Sequence, residues 1–115
     1  MRRMSAPADD AFEAAMRQFR AEFAAQLPDR LRQMRDALSA CRALPADAAC
    51  LRELHLVVHK LVGAAGTFRM PALARAAQAA EDEILALTER GGWNAADLES
   101  LAAHVAAVER AAVQP

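Results

Sequence analysis

Apolar residues recur at steps of three and four through five successive segments, and proline or glycine stands between the segments. That period lays one apolar stripe along a helix, whereas a strand needs a repeat of two. From about residue 9 to 26 the stripe is Phe12, Met16, Phe19 and Phe23. Leu27-Pro28 follows, and a proline disfavours helix at the residue before it. Pro28 suits the first turn of a second helix, with Asp29 at its electropositive start. That helix carries Leu31, Met34, Leu38 and Cys41 and ends before Leu44-Pro45. Asp47 opens a third helix with Leu51, Leu54, Val58, Leu61 and Ala65, ending near Thr67-Phe68. Pro71 starts a fourth with Leu73, Ala77, Ala80, Ile84 and Leu87, stopped by Gly91-Gly92. The fifth begins at Asn94, with Asp97 three residues on as in a capping box. Trp93 and Leu98 are placed as a hydrophobic staple, and Leu101, Val105 and Val108 continue the stripe.

Composition agrees with helices. Of 115 residues, 31 are alanine, none is tyrosine and only five are aromatic. A sandwich or barrel needs more β-branched and aromatic side chains than this. The apolar share of 55% excludes a disordered chain. The expected fold is therefore all-α, an antiparallel up-down four-helix bundle with an additional N-terminal helix. Helices two to five form the bundle and the first covers one end or flank. Residues 1–8 are expected to be a flexible N-terminus and 9–113 a single domain. The Phe12, Phe19 and Phe23 stripe reads as core, with a dimer contact as the weaker alternative, so a monomer is expected.

A net charge of -1, from 14 basic and 15 acidic residues, supplies no field for a nucleic acid or an anionic membrane. No apolar run is long enough to cross a bilayer, and Met1–Pro7 lacks the apolar stretch of a secretion signal. A cytoplasmic location is expected. Cys41 and Cys50 are too few and too far apart for a disulfide framework or zinc knuckle, so both read as reduced packing residues.

Of the three histidines, His55, His59 and His104, the second stands out. It lies about 100° round the helix from Val58, beside the apolar stripe and at the solvent border. Arg52, His55, Gly63 and Gly66 share that side. A mid-helix glycine costs about 1 kcal/mol relative to alanine, so two in an alanine-rich chain need a reason. Helical side chains lean toward the N-terminus, and a side chain at 63 is expected to lean over the ring of His59. Gly63 would leave that ring open to another macromolecule. His55 and His59 also have the two-histidine spacing of helical zinc proteases. The glutamate that should follow the first histidine is missing and no third ligand is evident, so no metal is expected. His104 reads as structural or solvent-facing.

The run His59-Lys60-Leu61-Val62-Gly63-Ala64-Ala65-Gly66-Thr67-Phe68 resembles the signature of histidine-containing phosphotransfer (HPt) domains. That signature is His-x-Leu-Lys-Gly followed by small residues and an apolar one. The likeness extends over about residues 10 to 110, including Ala79-Ala80-Glu81 on the following helix. The resemblance implies a histidine phosphocarrier of a multistep two-component phosphorelay. His59 would take a phosphoryl group from an aspartyl phosphate on one receiver domain and pass it to another. Its implied partners are response regulator receiver domains and a hybrid histidine kinase. It implies no ATP site and no cofactor of its own, Mg2+ being carried by the receiver. Glu81 is the candidate acceptor of a hydrogen bond from the Nδ1–H of His59, with Gln78 as substitute. The docking face would comprise Arg52, His55, Lys60, Val62, Gly63, Gly66 and Arg69. Two positions depart from the pattern. Val62 stands where a lysine is frequent, and Arg69 where a glycine is frequent. Lys60 or Arg69 would then supply the missing charge. The alternative is a helical adaptor that binds a signalling partner without being phosphorylated, and a phosphatase action on a receiver is a minor third reading.

Overall fold

The computed structural model describes residues 7–44 and 47–113, and these hold four helices and no strand. The first two expected helices are one. Helix α1 runs unbroken from Pro7 to Ala43, 37 residues, with Pro28 inside it. The reason lies in the phase of the stripe. Phe23, Leu27, Leu31, Met34, Leu38 and Cys41 follow one another at steps of four, four, three, four and three, straight through the proline. Phe23 and Leu27 are buried before Pro28, and Met34, Leu38 and Cys41 after it. An interior proline forfeits a backbone hydrogen bond and crowds the carbonyl four residues back, costing ~3 kcal/mol. Each large side chain buried on the shared face returns about 1.5–3 kcal/mol, so the continuous helix wins. We expect Pro28→Ala, which restores an N–H facing the carbonyl of Ala24, to stabilise the protein by about 1–3 kcal/mol. Thermal denaturation measures this, and an unchanged or lower midpoint would mean that the core requires a proline-shaped helix there.

The later part of α1 packs with α2 (Ala48–Thr67), α3 (Pro71–Arg90) and α4 (Ala95–Ala112). Each helix lies against its neighbour in the chain, and α1 lies against α4, which closes an up-down bundle. Met34, Leu54, Val58, Leu61, Leu73, Ile84, Leu101 and Val108 are fully buried at its centre. The N-terminal part of α1 does not cover the bundle. It leaves at Phe23, whose ring lies 5.5 Å from that of Phe68, and at Arg20, whose Nε donates to the Phe68 carbonyl at 3.0 Å. Beyond that point Phe12 and Phe19 are 56% and 51% exposed, and the molecule measures 61 × 23 × 22 Å. Of the expected aromatic core stripe only Phe23 is buried. A straight helix cannot fold back on its own bundle, so the absence of a break at Pro28 also removes the expected flanking helix. Residues 1–6 of the expected flexible terminus lie outside the described residues, while Pro7 and Ala8 already belong to α1.

The remaining helix ends follow local chemistry. Asp47 caps α2 by accepting from the Ala49 N–H at 2.9 Å. Gly91 takes the left-handed conformation, φ 81°, after α3. Asn94 and Asp97 form a reciprocal capping box on α4. At the end of α2 the Met70 N–H reaches back to Ala65 and the Arg69 N–H to Gly66, the two bonds of a Schellman turn. That turn requires a left-handed residue, and Arg69 fills it at φ 58°. This is the physical reason why a glycine suits the position.

Cys41 and Cys50 are free and buried, near the end of α1 and the start of α2. Burial, then the neighbouring Cys50 and Asp47, pushes the Cys41 thiol up to about 11. Cys50 is raised by burial and by Asp47. Reaction with iodoacetamide goes through the thiolate, and at pH 8 a thiol of that kind is ionised in roughly one molecule in a thousand. Folded protein should therefore alkylate far more slowly than denatured protein, as mass spectrometry of a time course will show. Equal rates would place these thiols in solvent.

Candidate functional site

His59 is the twelfth residue of α2 and Glu81 the eleventh of α3, so both stand midway along the bundle. His59 lies beside the buried Val58 and projects outward, its side chain 66% exposed. Glu81 lies beside the buried Ala80 and turns inward, with only 9% of its side chain exposed. It is the one charged residue buried among those described. An unpaired carboxylate at such a depth would be costly. Here each oxygen is engaged. Oε2 lies 2.6 Å from His59 Nδ1 and 3.1 Å from His55 Nε2, and Oε1 accepts from Gln78 Nε2 at 3.4 Å. Gln78 also donates to Asp82 at 3.0 Å.

The hydrogen-bond pattern assigns the protons. An ionised carboxylate only accepts, so Nδ1 of His59 donates, and in the neutral ring Nε2 then keeps the free lone pair. The ring is thus held at one nitrogen by a buried anion while the other faces solvent. Such an arrangement presents an oriented nucleophile on a rigid helix. The His55 ring lies beside it, centroids 5.7 Å apart, donating to the same oxygen.

The structure brings His59, Glu81, His55 and Gln78 into one cluster, with Gln78 bonded to Glu81 and not to His59. The other predicted residues surround it at varying distances. Lys60 is exposed and faces a shallow groove shared with Gln26, Asp29 and Arg30 of α1. Arg52 is exposed two turns before His59, beside Trp93 and Gly91. Val62 is half-buried and packs on the core. Arg69 lies beyond the end of α2, with Arg20 and Pro71, about 15 Å along the axis from His59. His104 is half-buried on α4 and takes no part.

Gly63 and Gly66 both lie on the exposed side of α2. A Cβ built on either meets nothing within 4 Å among the described residues. An alanine at 63 would therefore leave the ring of His59 clear, so only a longer side chain could lean over it, and both glycines leave open surface on the same face of α2. The contact between His55 and Glu81, which supplies the third ligand-type atom that spacing alone did not reveal, was missed from sequence. The signal available was the i, i+4 placement of the two histidines, which stacks them on one face.

The family model described as Hpt domain matches residues 18–112, and no curated protein or solved structure matches the chain. The matched region begins about where α1 meets the bundle, leaving the projecting part of α1 largely outside it.

Proposed function

The chain belongs to the Hpt domain family, whose members are histidine phosphotransfer intermediates, and we propose that it is a phosphocarrier acting through His59. Nε2 attacks the phosphorus of an aspartyl phosphate on a receiver domain. The P–O bond to the aspartate breaks, and the carboxylate leaves with its electron pair. Nδ1 keeps its proton, and Glu81 faces the positive charge that the phosphorylated ring acquires. Transfer to a second receiver reverses these steps. Phosphoryl transfer of this kind needs in-line positioning and charge stabilisation. The receiver would bring Mg2+ and the acidic pocket, and the present chain an oriented ring. The observation that carries the reading is that ring, locked at Nδ1 on a buried carboxylate and open at Nε2.

Its partners on this reading are response regulator receivers and a hybrid histidine kinase, in the cytoplasm. No helix among the described residues is long and apolar enough to cross a membrane. Incubation with phosphorylated receiver domains tests the proposal. It expects an acid-labile, base-stable phosphate on the protein. The absence of a lysine at Val62 favours the second reading, an adaptor that docks on a partner unmodified, and binding of a receiver without any labelling would select it.

The two glycines give a sharper test of docking. Gly63→Ala adds a methyl group to open space on an exposed helix face. It should stabilise the protein by about 1 kcal/mol. If the receiver rests on that face, the same methyl group should slow transfer. A stabilised variant with unchanged transfer kinetics would place the receiver elsewhere.

A further inference from the structure

One ring nitrogen from each of His55 and His59 and a Glu81 carboxylate oxygen all lie within 4.8 Å of one another, on two neighbouring helices, with His55 Nε2 and His59 Nδ1 the nitrogens that face Glu81. We propose that these three atoms form a site for a divalent transition-metal ion of the zinc class, and that filling it silences the nucleophile of His59. The donor set is two imidazoles and one carboxylate, which suits zinc and its neighbours and not the oxygen-seeking Mg2+ or Ca2+. Zinc bonds of about 2.0–2.2 Å at tetrahedral angles separate ligand atoms by roughly 3.3 Å. The Oε2–Nε2 separation of 3.1 Å is close to that, and the Oε2–Nδ1 separation of 2.6 Å needs to open by less than about 1 Å. Side-chain rotation supplies this, because His59 is exposed and His55 is 31% exposed. The solvent side stays open for a water molecule as fourth ligand. The helix provides the i, i+4 pair and the buried carboxylate the anchor, and the two ring nitrogens, within 4.8 Å of each other, close to the same spacing around the ion.

The consequence for His59 follows from counting protons. A neutral imidazole carries one. In the metal-free ring it sits on Nδ1 and hydrogen-bonds Glu81. A metal ion takes the Nδ1 lone pair, so the proton must move to Nε2, and the proton of His55 moves likewise from its ligating Nε2 to Nδ1. The His59 nitrogen that faces solvent then has no lone pair to offer phosphorus. This last step rests on the phosphocarrier reading, whereas the metal site does not.

Calorimetric titration of the full chain with Zn2+ is expected to show one ion per chain. His55→Asn should weaken binding by about tenfold or more, the loss seen even for outer partners of a metal ligand. Circular dichroism verifies that the variant is folded, and Glu81→Gln is the second variant. Long-range proton–nitrogen NMR of the His59 ring should find the proton on Nδ1 without metal and on Nε2 at saturation. With Co2+ as probe no thiolate charge-transfer band is expected. No binding, binding undiminished in His55→Asn, or a thiolate band pointing to Cys41 and Cys50 would overturn the site. Labelling by a phosphorylated receiver at the same rate with the site filled would overturn the silencing. If neither the loaded nor the metal-free protein is labelled, it is the phosphocarrier reading that fails, and the titration result stands by itself.

Discussion

Replacing His59 by glutamine is expected to reduce phosphoryl labelling by a receiver to background while leaving the bundle folded. Glutamine has no nitrogen lone pair able to attack phosphorus. Its amide can still donate toward Glu81, so the buried carboxylate does not lose a partner outright. With a side chain 66% exposed, His59 contributes little packing. The stability change should stay within about 1 kcal/mol, the net value of one hydrogen bond. Labelling with a phosphorylated receiver and a thermal melt on the same preparation check both halves. Retained labelling would move the acceptor to His55 or His104. Loss of labelling together with loss of fold would make the result structural, and the choice of glutamine is meant to prevent that.

Leu54→Ala is expected to have the largest effect on stability. Leu54 is 0% exposed in the helix that carries both site histidines. Its truncation removes buried apolar area and leaves a cavity, which costs about 2–5 kcal/mol. Against a total stability of about 5–15 kcal/mol for a domain this is a large fraction. The melting midpoint should fall by roughly 10–20 °C. Leu56, two residues on, is 49% exposed, and its truncation should change stability by less than about 0.5 kcal/mol. Equal effects at the two positions would contradict the placement of α2 in the bundle.

The helix boundaries at Asp47, Pro71, Gly91 and Asn94 were readable because each depends on backbone groups within a few residues. Pro28 is the opposite case. Its local preference is to break a helix, but the fate of α1 was settled by burial on both sides of it. The continuous three-and-four spacing from Phe23 to Cys41 is the signal of one helix, and it outweighs the proline. Phe12 and Phe19 stay exposed as a result, since a stripe says that a face is apolar and not that a surface exists to cover it.

At the site, periodicity placed His59 beside the seam and Glu81 beside Ala80. It could state that each stood at the border of its own helix. It could not state that α2 and α3 cross with these two borders in register, nor that His55 would share the same oxygen. The helical class, the four later helix boundaries and the motif around His59 were determined by the residues themselves, because they depend on groups within about two turns of chain. The unbroken α1, the burial of Glu81 and the convergence of two imidazoles on it were decided only by the packed bundle. They depend on which faces of separate helices meet, and that is set by the shape of the whole core.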